Sequence, residues 1–156
     1  MRRLYSIQDF KSYTLLKAVL YDLELTNKPY WWLISDIEAF PRKKEYQDLI
    51  EHANYLLLST RELVEMLEND DFQWIWAVFS AISTKYSKEE ILQFDLPYIM
   101  EFQEGKYNPC IDKPKVQHPY ADFEIYAFDS SYMFMITDDT DLISKFQKRY
   151  PLYVEG

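Results

Sequence analysis

A chain of 156 residues in which 48% are hydrophobic and 28% charged has the size and balance of one folded domain, which excludes wholesale disorder. Its 26 acidic against 17 basic residues give a net charge of −9, which disfavours nucleic acid as a partner and favours a basic protein, unless the charge serves solubility alone. One cysteine, Cys110, excludes an internal disulfide, and no apolar run is long enough for a leader or a membrane span, so a cytoplasmic location is expected.

The first element expected is a helix in "SIQDFKSYTLLKAVLYDLEL", where Ile7, Phe10, Tyr13, Leu16, Leu20 and Leu23 recur at three- and four-residue steps. Ser6 and Asp9 have the spacing that caps its first turn. "NKP" breaks it, and "YWWLIS" (30–35) is β-prone through its aromatic and branched residues. "EYQDLIEHA" (45–53) reads as a short helix and "NYLLLS" (54–59) as a buried strand. Ser59 with Glu62, and Ser87 with Glu90, make capping boxes that open two further helices. Between them "FQWIWAVFSAIS" (72–83) is apolar on both alternating faces, as a central strand covered on both sides must be.

"LPYIMEFQEG" (96–105) suggests an edge strand, with Pro97 tolerable only at its start. The interval 103–120, rich in proline, fits no element and is a candidate partner-contacting loop, since irregular loops beyond roughly 12–15 residues are uncommon. "DFEIYAF" and "YMFMITD" form a hairpin, followed by a helix from about Thr140 to Tyr150 whose acidic start and basic end suit the helix dipole. The sum is one α+β domain over residues 1–156. A single mixed, largely antiparallel sheet of about five strands carries helices packed on it.

Chemistry is harder to find. "FDSSY" (128–132) has two serines between strands, but none of the glycines that present a hydrolase nucleophile on a sharp turn, so Asp129, Ser130 and Ser131 are read as turn residues. His52 and His118 are the only histidines, and Cys110 with His118 matches no compact metal-ligand spacing. Two glycines cannot build a phosphate-cradling loop. No catalytic residue, metal ligand or cofactor is therefore assigned.

The remaining signal is aromatic. Adjacent Trp31 and Trp32 point to opposite faces of a strand, and both are buried only if that strand is covered twice. An exposed indole beside carboxylates has the make-up of a protein-binding hot spot, with Asp36, Glu38, Asp70 and Asp71 as the charged contacts. The pattern "ADFEIYAFDSSYMFMITDDTDLISKFQKRYP", with "YWWLISDIEAFP" upstream, resembles small acidic bacterial proteins of uncharacterised or immunity type. That resemblance, over the last part of the chain and one short block, implies a protein that binds and neutralises a toxin; it carries no functional residue across. Competing expectations are a small-ligand protein or enzyme using scattered carboxylates, tyrosines and His118, and a structural or self-associating module in which an exposed aromatic edge pairs two copies.

Overall fold

The computed structural model describes residues 1–6, 15–99, 115–128, 132–150 and 153–155. Among them seven strands form one sheet: β1 (Arg2–Ser6), β2 (Tyr30–Phe40), β3 (Tyr55–Ser59), β4 (Gln73–Ser83), β5 (Ala121–Phe128), β6 (Tyr132–Thr137) and β7 (Tyr153–Glu155). Their order is β3-β2-β4-β5-β6-β1-β7, and every pairing is antiparallel. The helices are α1 (Leu16–Asp22), α2 (Lys44–Glu51), α3 (Thr60–Asn69), α4 (Lys88–Ile91) and α5 (Thr140–Arg149). No helix among the described residues is long and apolar enough to cross a membrane.

The α+β class is as expected, but the sheet has seven strands rather than about five. The two unforeseen strands lie at the chain ends. Ser6, expected to cap the first helix, instead pairs with Tyr153 in the β1–β7 ladder. The described helix starts at Leu16, after Leu15 bridges to Gln73, without a side-chain cap. α1 ends in a Schellman turn: Leu25 N–H bonds Leu20 O at 2.8 Å and Glu24 N–H bonds Tyr21 O at 3.1 Å. Glu24 holds the left-handed position there (φ 56°), which glycine usually fills.

Both capping boxes form. Glu62 N–H bonds Ser59 Oγ and Glu90 N–H bonds Ser87 Oγ, each at 3.1 Å, with the two glutamates bonding back to the serine N–H groups. α5 follows the dipole expectation, with Asp139 Oδ1 accepting from Asp141 and Leu142 at its start and Lys148 and Arg149 in its last turn. β3 differs from its reading as a buried strand: it is the sheet's edge, and only Leu56 is buried. Leu96–Ile99 is irregular rather than a strand, and residues 100–105 of that expected strand lie outside the described residues. So do Asp129–Ser131 of the hairpin, although Phe128 pairs with Tyr132 on either side of them.

β4 runs through the middle, as its two-faced apolar pattern demands. On one face Trp32, Ile34, Phe79, Phe123, Ile125, Met133 and Met135 pack against α1, α3 and α5 through Leu20, Leu63 and Phe146. The opposite face is covered by α4 and by two irregular segments, 95–99 and 115–120, over Leu33, Val78, Ile82, Tyr126, Phe134 and Ile136. Strand pairing sets a row of residues across this second face: Leu57, Leu33, Ser80, Glu124, Ile136 and Arg3. Glu124, Ser80 and Arg3 in that row have no exposed surface.

Candidate functional site

The two tryptophans of "YWW" resolve as the covered-twice case. Trp32 is fully buried on the helix-covered face. Its indole N–H donates to Thr60 Oγ1 at 2.9 Å, and its ring stands edge-on to Tyr30 and Phe123, at 5.9 and 5.8 Å. Trp31 is half-buried on the other face, with Lys88 Nζ 4.9 Å above its ring. Trp32 is therefore excluded as a partner contact by its burial, and the exposed part of Trp31 lies beneath a lysine.

Two of the four proposed acids hold the fold. Asp36 takes a left-handed backbone conformation (φ 52°) where the β2–β4 register shifts, between Ser35 and Glu38, and its carboxylate accepts Ile99 N–H at 2.7 Å. Aspartate tolerates that conformation better than most residues. Buried Asp70 accepts the N–H groups of Arg42 and Lys43 at 2.8 and 2.9 Å. These are the N–H groups of Lys43, the N-cap residue of α2, and of the residue before it, so Asp70 fixes the chain as it enters the helix rather than capping its first turn. Asp70→Ala is expected to cost about 1–2 kcal/mol in urea unfolding, while Glu38→Ala, on the exposed side of the same region, leaves stability within about 0.5 kcal/mol.

Glu38 is exposed and Asp71 half-buried, and two residues after Glu38 stands an aromatic side chain that sequence reasoning missed. Phe40 is 62% exposed, more than any other large hydrophobic residue among those described. The bulge at Asp36 is the reason. Beyond it β2 changes phase, so that Glu38 and Phe40 turn outward opposite Trp76 and Gln73. Asp71, two residues before Gln73, is raised above the usual aspartate range by burial, with the charges of Lys17 and Arg42 opposing and those of Asp70 and Glu68 adding to the rise. Glu68 accepts the hydroxyl of exposed Tyr21 and pairs with Lys17 at 3.2 Å. Glu38 and Phe40 are thus exposed on one side of the β2–β4 end, while Tyr21 and Glu68 belong to the helix layer that packs on the other.

A second opening is a groove of about 610 Å³ at the other end of β2, between the 26–30 turn and the start of α3. Its walls include Lys28, Arg61, Glu65, Tyr30 and Thr60. Thr60 Oγ1 is already occupied, donating to Lys28 O at 2.5 Å and accepting from Trp32 and Tyr30.

The most concentrated polar cluster lies inside the second face. Glu124 Oε1 accepts Gln117 N–H (2.6 Å) and Tyr126 OH (2.9 Å); Oε2 accepts Ser80 OH (2.6 Å) and His118 N–H (3.2 Å). Burial holds its carboxyl above the usual range, against the pull of these four bonds. His118 is spent on backbone: Nδ1 accepts Tyr120 N–H at 3.0 Å, so Nε2 carries the proton and donates to Ile91 O at 2.8 Å. Ser80 beside Glu124 has the distance of a nucleophile and its base, but neither has exposed surface, so a reacting carbonyl cannot reach the serine. The cluster is a clamp. Gln117 completes it by bonding Tyr98 N–H and O, at 2.9 and 3.1 Å, which joins segments 95–99 and 115–120 over the sheet.

Cys110 lies outside the described residues, and His52 is exposed at the end of α2. Among the described residues no three His, Cys, Asp or Glu side chains gather as metal ligands would. Comparison of the chain with protein-family models, with curated proteins and with solved structures gave no match.

Proposed function

We propose that the chain is a non-enzymatic cytoplasmic binding protein of the immunity type, which captures and neutralises a basic protein at the β2–β4 end of its sheet. The observation that carries this reading is Phe40, an exposed phenyl ring two residues along β2 from exposed Glu38 and paired with Gln73 of β4. An aromatic anchor ringed by charge is the usual composition of a hot spot: the ring supplies affinity, and carboxylates speed the approach of a cationic surface. Of the contacts suggested by sequence, Glu38 and Asp71 stay in the proposal, and Phe40 takes the place given to Trp31 or Trp32.

The test is a pull-down from the source cell with three baits, wild type, Phe40→Ala and Glu38→Lys, at low and at high salt. The expected outcome is a basic protein retained by wild type at low salt, weakened about tenfold or more by Phe40→Ala and reduced by salt. Equal recovery of the same protein by all three baits at every salt concentration would remove this surface from consideration.

A second reading, a small-ligand site, draws support from the groove. Its volume of about 610 Å³ is within the range of ligand pockets, and Lys28, Arg61 and Glu65 line it.

A further inference from the structure

We propose that two copies of this chain pair through the open edge of β3. Among the described residues β3 has a neighbour on one side only, β2. Two contacts fix which of its backbone groups face outward. Tyr30 N–H points to Thr60 Oγ1 (3.3 Å), and Ser59 N–H is taken by the Glu62 carboxylate (3.0 Å) rather than by its β2 counterpart Trp31. Even-numbered β2 residues therefore face β3, where Trp32 and Ile34 stand opposite Leu58 and Leu56. The N–H and C=O groups of Tyr55 and Leu57 face away from the sheet.

Such an edge is a template for another strand, and folded proteins blunt it with a lysine, a proline, a bulge or sheer shortness. The opposite edge, β7, is three residues long. β3 is "YLLLS", five residues with none of these devices. Tyr55, Leu57 and Leu58 are only half-buried in the single chain, so a neighbouring strand would complete their burial.

Charge and symmetry select a second copy as the occupant. Two chains of net charge −9 repel, and β3 itself carries no charged residue, although the Glu62 carboxylate sits at its Ser59 end. Antiparallel pairing about a twofold axis at Leu57 sets Leu57 against Leu57 and Tyr55 against Ser59. Leu57 then exchanges both backbone bonds with its copy, while Ser59, the N-cap of α3, keeps its N–H in the capping box and its carbonyl in the first bond of the helix. The same pairing brings exposed Glu51, at the end of α2 in one copy, towards exposed Arg61, at the start of α3 in the other. By symmetry this opposite-charge approach occurs at both ends of the joint, and the two sheets become one. The joint leaves the Phe40 surface uncovered, so it is independent of the capture proposed there.

Sedimentation velocity over a range of concentrations tests the pairing. Wild type is expected to pass from monomer to dimer as concentration rises, and Leu57→Lys, which places a charge on the axis, to remain monomeric while still unfolding in one cooperative transition. In a Cys110→Ser background, Leu57→Cys is expected to give a covalent dimer with a short bis-maleimide, and Lys85→Cys, away from the joint, to give none. A wild type that is monomeric throughout, a dimer that survives Leu57→Lys, or equal cross-linking at both positions would overturn the proposal. Should Leu57→Lys fail to fold, the cross-linking comparison decides the question alone.

Discussion

Replacing Glu124 with alanine is expected to lower the unfolding free energy by about 4 kcal/mol, because the N–H groups of Gln117 and His118 lose their acceptor inside the protein and each orphaned donor costs about 1–3 kcal/mol. The loss should be accompanied by release of segment 115–120, seen as faster amide exchange at Gln117 and His118. A cost below about 1 kcal/mol would mean that the clamp does not hold the segment.

The same residue gives a pH dependence of defined sign. Burial raises the Glu124 carboxyl above its ordinary 4.5. A folded-state pKa above the unfolded one means that the native protein holds the proton more tightly. The associated stability is fully present below about 4.5 and is lost as pH rises through the raised value. The geometry also shows where the proton of the neutral acid points. Gln117 and His118 N–H can only donate, and Tyr126 OH accepts from Gln117 Nε2 at 3.1 Å, so its own proton is directed at Glu124 Oε1. Ser80 Oγ, 2.6 Å from Oε2, is the partner able to turn and accept. Other groups near the acid are the His118 ring and, beyond Ile136 in the cross-strand row, Arg3. Glu124→Gln removes this titration. Urea unfolding of both proteins at successive pH values should show wild type losing stability relative to the glutamine variant as pH rises above about 4.5; the opposite trend would contradict the assignment.

The second large effect is expected at Trp32. Trp32→Ala empties a fully buried site where the indole meets Tyr30 and Phe123 edge-on, and it removes a donor from Thr60 Oγ1. Large-to-small changes of this kind cost about 3–5 kcal/mol. Trp31→Ala, on a half-buried residue beneath Lys88, should cost roughly half as much or less, since less surface returns to water. The difference, measured by denaturant unfolding, reads the two sides of one strand separately.

These residues show how far a single sequence carries. The capping boxes at Ser59 and Ser87 were legible because four consecutive residues contain the whole interaction. The central position of β4 was legible because burial on two faces leaves an uninterrupted apolar run. β1 and β7 were not, since they are strands by virtue of partners more than a hundred residues away in sequence. Glu124 looked like the polar half of an ordinary alternation in "DFEIYAF". What hid it was segment 115–120, whose irregular backbone leaves no periodic trace and yet covers that face of the sheet. The acids Asp36 and Asp70 were expected to be partner contacts, and in the structure their carboxylates accept backbone N–H groups of the chain itself. Phe40 was missed because the expected strand stopped at Ser35, whereas β2 runs on through the bulge at Asp36 to Phe40.

Whether the chain works as a capture surface is tested most directly by amide hydrogen exchange on the protein with and without the basic protein recovered in the pull-down. The proposal predicts new protection at residues 38–40 and 71–73, with the 26–30 turn and the start of α3 unchanged. Protection confined to that turn and to residues 59–65 would place binding in the groove and contradict the Phe40 surface.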